Sequence, residues 1–276
     1  RQLQRRHQKV IEEAPAPNLP DHVRALMHDS ARALAAHVGY RSAGTVEFVY
    51  DTDTEQVYFL ELNTRLQVEH PVTEQIFDVD LVEWMLRVGL GDTGPEGFLA
   101  HITPRSNGRH SIEARVYAED PQKNYQPSTG LLTRVRFPTA DGHERGDVRI
   151  ETGVETGDEV SPIYDPMIAK VIVTADNRHE AFAALRSALD ATELAGIETN
   201  LGLLDAICTT DTVLAATLTT NLLCDVSDVR PRIDLLRGGA STTIQDWPGR
   251  IGYWQVGISP GAVSYTHLRA HETGRN

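Results

Sequence analysis

Hydrophobic positions along the first hundred residues follow two different spacings. From Pro20 to Gly39 the apolar residues recur every three or four positions, which predicts a helix. Strand-like runs follow at 44–50 and 57–62, and the polar stretch between them predicts a hairpin loop. A second helix is predicted over 78–90. This part of the chain is therefore expected to combine helices with an antiparallel hairpin.

Short strands and turns dominate the pattern from about residue 103 onward. The predicted strands lie at 112–118, 131–137, 148–151 and 168–174. Asn177 is predicted to cap a helix that places Phe182, Leu185 and Leu189 on one side. A further β-rich unit is predicted from about residue 231. The expected fold class is α+β, with domain boundaries near 103 and 230.

Composition and charge narrow the class of protein. Hydrophobic residues make up 40% of the chain and charged residues 24%, as in ordinary globular proteins. The formal net charge of −13 argues against a general binder of nucleic acid or anionic membranes. No apolar run is long enough for a membrane helix. Cys208 and Cys224 are too few for a zinc site or a disulfide framework, which favours a cytoplasmic setting.

Polar side chains occupy every second position of one segment. In an extended chain they would share one face: Glu61, Asn63, Arg65, Gln67 and Glu69. A hairpin loop centred on Thr54 sets Glu47 opposite Glu61, and facing carboxylates repel each other unless a positive charge lies between them. With the Asn63 carbonyl, they form an all-oxygen set typical of Mg²⁺. An exposed polar strand face would show the same alternation, so the pattern leaves both interpretations open.

The first seventeen residues contain two features that the pattern alone leaves unassigned. The segment from Gln4 to Lys9 is rich in basic side chains, which is typical of a solvated surface or a phosphate contact. The segment from Glu12 to Pro17 is interpreted as a linker, because acidic, alanine and proline residues follow one another there.

Four longer segments resemble the biotin carboxylase family, in the family's order. They are QRRHQKVIEEAPAP at 4–17, ELNTRLQVEHPVTE at 61–74, IEARVYAEDP at 112–121 and YDPMIAK at 164–170. The resemblance covers about residues 1–224. It implies the C-terminal part of an ATP-grasp domain over 1–102 and the biotin carboxylase C-terminal domain over 103–230. The front of the ATP-grasp domain is expected to lie outside this sequence, so the chain is interpreted as a fragment that does not turn over alone.

The resemblance implies an ATP-dependent ligase that uses bicarbonate. In that family ATP and bicarbonate form carboxyphosphate, whose CO₂ passes to biotin on a carrier domain. The positions that match Mg²⁺ or Mn²⁺ ligands are Glu47, Glu61 and Asn63. Those that match ATP contacts are Gln4, His7, Glu47 and Glu61. A homo-oligomer of the whole enzyme is compatible with the family.

The same resemblance assigns the anion and biotin contacts. Glu69 matches the general base, with Arg65 and Lys9 as its catalytic partners. The bicarbonate-binding positions are Lys9, Arg65, Gln67, Val68 and Glu69. Arg115 and Arg65 match residues that contact biotin. Asp165 and Lys170 are expected to form an internal structural pair.

Residues 231–262 resemble the start of the carboxyltransferase region of urea carboxylases. Urea is therefore the implied acceptor of the carboxyl group, which would give allophanate. Guanidine carboxylases, the biotin carboxylase subunits of acyl-CoA or pyruvate carboxylases, an ATP-grasp ligase without biotin chemistry and a non-catalytic remnant remain alternatives. Residues 263–276 resemble translated sequencing-adapter sequence and are interpreted as an artefactual tail.

Overall fold

The fold is described from a computed structural model of the chain. It describes residues 2–5, 8–93, 97–101, 105–138 and 147–217, and the backbone of 232–236, 240–246 and 252–257. The helices are α1 Asp21–His37, α2 His70–Phe77, α3 Leu81–Gly89, α4 Arg178–Asp190, α5 Leu201–Thr209 and α6 Asp211–Leu214. The strands are β1 Gln2–Arg5, β2 Gln8–Ala14, β3 Thr45–Asp51, β4 Gln56–Asn63, β5 His110–Tyr117, β6 Glu119–Asp120, β7 Gln126–Pro127, β8 Gly130–Leu131, β9 Arg134–Arg136, β10 Val148–Thr152, β11 Glu159–Val160, β12 Met167–Ala175, β13 Glu193–Ala195, β14 Arg232–Leu236, β15 Ala240–Asp246 and β16 Gly252–Gly257.

A five-stranded antiparallel sheet forms the centre of the molecule, in the order β1-β2-β5-β12-β10. Its two faces differ because side chains alternate along a strand. On β5, Ile112, Ala114 and Val116 are fully buried and belong to the apolar core. The intervening Glu113 and Arg115 point to the opposite face. One face of the sheet is therefore apolar, and the other carries charge.

Helices cover both faces of this sheet. On the apolar side α4 contacts β5 and β12, and its buried residues Phe182, Leu185 and Leu189 lie on one face of the helix, as predicted. The Asn177 side chain caps α4 by accepting a hydrogen bond from the Glu180 amide at 3.0 Å, also as predicted. On the charged side α2 contacts β2, β5 and β12.

The strands β3 and β4 form a separate two-stranded antiparallel sheet. Its register places Glu47 directly opposite Glu61, as predicted. The predicted loop centre at Thr54 is wrong by half a residue, since the pairs nearer the turn, such as Val49 with Tyr58, are offset by one position, and a bulge between Glu47 and Phe48 brings the two acids opposite each other. The predicted extended run from 61 to 69 is wrong beyond Asn63, where β4 ends and the chain turns before α2. The change of direction has a local cause, because Pro71 lies in the first turn of α2 and favours helix initiation there.

The predicted helix over 78–90 proves to be the second of two helices. The first, α2, ends at Phe77, because the φ of 50° at the following Asp78 is left-handed and cannot continue a helix. The second, α3, begins at Leu81 because the Asp80 side chain accepts a hydrogen bond from the Glu83 amide at 2.7 Å. None of the helices in the described ranges is long and apolar enough to cross a membrane.

Three strands, β14, β15 and β16, form an antiparallel sheet near the end of the chain. Their presence confirms that the region from 231 is rich in β-structure. The proposed artefactual tail, 263–276, lies outside the described residues.

Candidate functional site

The loop 64–69 places Glu69 against the charged face of the central sheet. The Nζ atom of Lys9, on β2, lies 2.6 Å from Oε1 of Glu69. The Nη2 atom of Arg115, on β5, lies 2.9 Å from Oε2 of the same carboxylate. These three side chains are mostly buried, so the ion pairs are poorly screened by water. The structure thus brings together three residues that sequence reasoning assigned to one site.

Glu69 remains ionised in these surroundings. Burial acts to raise the pKa of its carboxyl, but the hydrogen bond from Lys9 and the charges of Lys9 and Arg115 outweigh burial. The pKa of Glu69 is therefore lowered from its ordinary value of 4.5. A carboxylate that is ionised at neutral pH can accept a proton from a bound acid.

The hairpin carboxylates Glu47 and Glu61 converge on one side chain. The Nδ2 atom of Asn63 donates to Oε1 of Glu47 at 3.2 Å and to Oε1 of Glu61 at 2.9 Å. Lys9 also reaches Glu47, at 3.3 Å, which places a positive charge beside the facing carboxylates. The carboxylates of Glu47 and Glu61 repel each other, so each attracts the nearest hydrogen-bond donor, which is the Asn63 amide or the Lys9 amine.

The donor set of this hairpin suits a hard divalent cation, although the described residues contain no group of three or more His, Cys, Asp or Glu that could hold a metal. Two carboxylates and one amide give oxygen ligands of the kind Mg²⁺ prefers. Asn63 was predicted to present its carbonyl oxygen, but it presents its amide nitrogen to both carboxylates. The two orientations of an amide differ only by a flip about its last torsion, so the oxygen can occupy the same position.

The remaining predicted site residues differ in how closely they approach Glu69. Gln67 is buried and its Nε2 atom donates to Glu47 at 3.4 Å. Arg65 is exposed and donates to Oε1 of Gln67 at 3.0 Å. Gln4 lies opposite Lys9 in the β1–β2 ladder, with its side chain exposed. His7 lies outside the described residues.

Val68 enters the site through its backbone. Its carbonyl oxygen accepts a hydrogen bond of 3.0 Å from Nζ of Lys170, on β12. Lys170 also forms an ion pair with Glu151, which is bound in turn by Arg149. The expected Lys170–Asp165 pair is therefore wrong: Asp165 instead accepts a hydrogen bond from the amide of Met167 at 2.8 Å. Lys170 points to the charged face of the sheet, where it holds the loop that carries Glu69.

Sequence reasoning missed two buried acids of the same face, Glu12 and Glu113. Glu12 was assigned to a linker, but β2 continues to Ala14 and buries this side chain. Glu12 lies opposite Glu113 in the β2–β5 ladder. The available signal was the alternation of Glu113 and Arg115 with the apolar residues of β5.

Loss of the Lys170 amine is expected to loosen the loop 64–69. In Lys170→Met the hydrogen bond to Val68 and the ion pair with Glu151 are both removed, which should lower the free energy of unfolding by about 1–3 kcal/mol. Denaturant unfolding measures this loss, and hydrogen exchange should increase across 64–69. Lys123→Met is the control, because the amine of Lys123 is largely exposed to water although its partner Asp120 is buried, and a solvent-screened amine contributes about 0–1 kcal/mol. Equal losses in both variants would contradict the role assigned to Lys170.

A cleft of about 1500 Å³ runs along this site. Its wall includes Glu12, Glu47, Arg65, Gln67 and Glu69. The cleft therefore gives the predicted base Glu69, its neighbours Arg65 and Gln67 and the hairpin carboxylate Glu47 access to a common volume.

Two known protein families match the chain over consecutive segments. Residues 1–96 match the carbamoyl-phosphate synthase L chain, ATP binding domain, and residues 113–225 match the biotin carboxylase C-terminal domain. Together the two segments contain Lys9, Glu69 and Arg115, which meet in the site.

Individual proteins show the same relationship. The chain is 45% identical over 258 residues to urea amidolyase of Saccharomyces cerevisiae, a match that covers 94% of this chain and 14% of that protein. The crystal structure of the Kluyveromyces lactis urea carboxylase superposes with a TM-score of 0.76 at 44% identity, covering 91% of this chain and 21% of that one. The biotin carboxylase domain of the Hydrogenobacter thermophilus 2-oxoglutarate carboxylase, with MgADP and bicarbonate, gives a TM-score of 0.74 at 38% identity and covers 82% and 49%.

These matches cover most of this chain but only a small part of the longer relatives. The chain spans 14% of the length of the yeast urea amidolyase, whereas most of the chain itself is matched. The same family accounts for both matched segments. It also accounts for the facing hairpin acids and for the cluster of Lys9, Glu69 and Arg115. The chain belongs to the biotin carboxylase family of ATP-dependent ligases and is related to urea amidolyase and urea carboxylase.

Proposed function

We propose that this chain forms part of the biotin carboxylase site of an enzyme that carboxylates urea. The reaction uses ATP and bicarbonate to carboxylate biotin on a carrier domain, and the carboxyl group then passes to urea. The observation that carries the proposal is the position of Glu69, held between Lys9 at 2.6 Å and Arg115 at 2.9 Å beside the hairpin acids. This arrangement places a base between cations that suit an anionic substrate.

Bicarbonate is proposed to bind in the cleft beside Glu69. Arg65 and Gln67 line the cleft, and Lys9 contacts Glu69 on its wall, so these three would supply donors for the oxygens of bicarbonate, with the backbone of Val68, which precedes Glu69 in the chain. Glu69 accepts the bicarbonate proton, which makes the oxygen a better nucleophile toward phosphorus. The anion competes with Glu69 for Lys9, and this competition weakens the contact that lowers the Glu69 pKa. Binding therefore increases the basicity of Glu69 when a proton has to be accepted.

ATP and a divalent cation are proposed to bind at the hairpin side of the cleft. Glu47 and Glu61, with the oxygen of Asn63, would hold Mg²⁺ or Mn²⁺, and Gln4 and His7 would contact the nucleotide. The cation supplies charge neutralisation for the phosphate oxygens during phosphoryl transfer. Before it binds, Lys9 and Asn63 keep the two carboxylates from facing each other uncompensated.

Arg115 and Arg65 are proposed to face the biotin ring system. A guanidinium remains charged at all physiological pH values and presents a planar set of donors, so it stabilises negative charge on a ureido oxygen. Arg115 is held by acids on two sides, Glu12 and Glu69, which fixes its plane. Arg65 is exposed at the edge of the cleft and is free of that constraint.

Urea is favoured as the acceptor by the extent of the sequence matches. A match of 94% of the chain to the yeast urea amidolyase has to continue past residue 225, where the match to the biotin carboxylase C-terminal domain ends. The 2-oxoglutarate carboxylase domain covers only 82% of the chain. Residues 231–262, which include β14 to β16, are accordingly proposed to begin the carboxyltransferase region, after an ATP-grasp part at 1–102 and a C-terminal domain at 103–230.

A pair of hybrid enzymes tests the proposal. The first carries residues 1–225 in place of the matching segment of the yeast urea amidolyase, and the second carries residues 1–262. Both are expected to show bicarbonate-dependent ATP hydrolysis that increases with urea. If neither hydrolyses ATP in response to bicarbonate, the biotin carboxylase assignment fails. If only the first responds to urea, residues 231–262 do not belong to a urea carboxyltransferase.

A further inference from the structure

Two buried carboxylates lie beside the Arg115–Glu69 contact, and the reaction proposed above does not use them. Glu12 on β2 and Glu113 on β5 face each other in the antiparallel ladder, and their exposed fractions are 3% and 0%. Within the described ranges, neither carboxyl oxygen of Glu113 has a hydrogen-bond partner, and Glu12 is met by the guanidinium of Arg115 alone. A buried ionised carboxylate without hydrogen bonds is costly, and two facing ones also repel each other. The pair is therefore not expected to carry two full charges.

Arg115 distinguishes the two acids by distance. Its Nη2 atom forms a close ion pair with Oε1 of Glu12 and a second one, of 2.9 Å, with Oε2 of Glu69. Glu113 reaches only the Nε atom of the same guanidinium, at 4.0 Å. Since a nearer opposite charge favours the ionised form more strongly, Glu12 retains its charge and Glu113 retains a proton.

The other titratable groups around the pair do not change this assignment. The charged ones are Lys9 on β2, Lys170 on β12, Glu151 on β10 and Glu69 before α2, and the phenol of Tyr117 on β5 is neutral because burial raises its pKa to about 12. Lys170 is already paired with Glu151, and Lys9 with Glu47 and Glu69. In the described part of the chain, Arg115 is the one cation within ion-pair distance of either acid. Three carboxylates thus share one guanidinium.

Burial raises the pKa of both acids. It raises the pKa of Glu12 to about 7, although the charge of Arg115 opposes this increase. Burial, followed by the charge of Glu12, raises the pKa of Glu113 well above its ordinary value. The proton is therefore expected to stay with Glu113 as the pH rises through neutrality.

We propose that Glu113 keeps its proton at pH values at which Glu12 is ionised, and that ionised Glu12 is a positioning residue, which holds Arg115 so that its Nη2 atom reaches Glu69. The inference deepens the function proposed above and rests on it. A neutral Glu113 leaves the guanidinium shared between Glu12 and Glu69 alone. When Glu113 loses its proton at higher pH, its carboxylate competes with Glu69 for Arg115. This competition weakens the contact that positions Glu69.

Infrared difference spectroscopy tests the protonation state independently of activity. Spectra are recorded at about pH 8.5, above the pKa of about 7 that burial gives Glu12, for the full chain and for the 1–262 hybrid, each compared with its Glu113→Gln and Glu12→Gln variants. The C=O stretch of a protonated carboxylic acid is expected in the parent and in Glu12→Gln, and it should disappear in Glu113→Gln. Absence of the band from the parent, its persistence in Glu113→Gln or its loss in Glu12→Gln would each overturn the assignment.

The pH dependence of the hybrid tests the positioning role. Glu12→Gln should lower bicarbonate-dependent ATP hydrolysis by about 10- to 100-fold, the effect of losing one charge-assisted contact. Glu113→Gln should lose less activity and should move the alkaline decline to higher pH, because its amide cannot ionise. Glu83→Gln, an exposed acid of α3, is the control for an unspecific loss of charge. Equal losses in the Glu12 and Glu113 variants, with an unchanged alkaline decline, would overturn the role.

The two readouts also separate this inference from the proposed function. A parent hybrid without bicarbonate-dependent activity would refute the proposed function and the positioning role together, while the infrared band would still decide where the proton resides. An active parent hybrid with a wrong infrared pattern would refute the protonation state alone.

Discussion

Replacement of Glu69 by glutamine is expected to lower bicarbonate-dependent ATP hydrolysis in the 1–262 hybrid by about 10²–10⁴-fold, the usual contribution of a positioned general base. The glutamine side chain keeps the shape of Glu69, but its amide cannot accept the bicarbonate proton. It also removes the negative charge between Lys9 and Arg115, so those cations become available to an anion. The substitution therefore removes the base while leaving the anion-binding groups in place.

The kinetic pattern of Glu69→Gln separates a base from a structural acid. The turnover rate should fall, whereas the KM for bicarbonate should stay equal or decrease, because Lys9 no longer has a competing carboxylate. Glu83→Gln on α3 serves as the control, since its exposed ion pair with Arg87 lies on the helix surface. A Glu69 variant that keeps full turnover, or loses activity only through a higher KM, would show that Glu69 is not the base.

Removal of the Arg178 guanidinium is expected to cost about 3–5 kcal/mol of the free energy of unfolding, the effect of breaking a buried ion pair. Arg178 binds Glu13 through Nε at 2.6 Å and through Nη2 at 3.2 Å. It also donates to the backbone carbonyls of Val213 at 2.8 Å and Leu214 at 2.7 Å. In Arg178→Met, Glu13 stays buried and keeps its contact with His110, but loses the permanently charged guanidinium. Denaturant unfolding of the full chain measures the loss.

Arg186→Met, also on α4, is a matched control for this prediction. The Arg186–Asp205 pair is about half exposed and should contribute about 0–1 kcal/mol after screening. A loss in Arg178→Met that is no larger than in the control would contradict the buried-pair argument.

The pH dependence of stability gives a second test of the Glu13 contacts. Burial acts to raise the pKa of Glu13, but hydrogen bonds and charges from His110 and Arg178 outweigh it, so the pKa is lowered. Because the folded-state pKa lies below the unfolded value, this contribution is present above the ordinary pKa of 4.5 and is lost as the pH falls through the lowered one. The acid-induced loss of stability should therefore be smaller in Arg178→Met.

Local patterns predicted those parts of the site that lie within one hairpin. The pairing of Glu47 with Glu61 was predicted, but the turn alone does not produce it, because the pairs next to the turn are offset by one residue and a bulge between Glu47 and Phe48 restores the predicted pair. The cap at Asn177 and the apolar face of α4 were predictable from the local pattern. Each of these features depends on residues that are close in sequence.

Local sequence patterns could not predict contacts between strands that are far apart in the sequence. Lys9 and Arg115 approach Glu69 only because β2 pairs with β5, and nothing in the spacing of either strand specifies the other. The family resemblance supplied those assignments instead. It did not reveal the burial of Glu12, since an acidic residue before an alanine–proline run is typical of a linker. The predicted partner of Lys170, Asp165, was wrong because the β10–β12 register places Glu151 opposite Lys170.

The insertion of β5 between β2 and β12 has a consequence for the order of folding. The cations that contact Glu69 come from β2 and β5, and the loop that carries it is tied down from β12. Contacts of such long sequence separation form late, because the intervening chain has to be closed first. During synthesis, Glu69 leaves the ribosome well before Lys170 does. Before the sheet forms, Glu69 is expected to be an ordinary solvated carboxylate. Its pKa is lowered only once β2 and β5 bring Lys9 and Arg115 to it, and its loop is held only once β12 is in place.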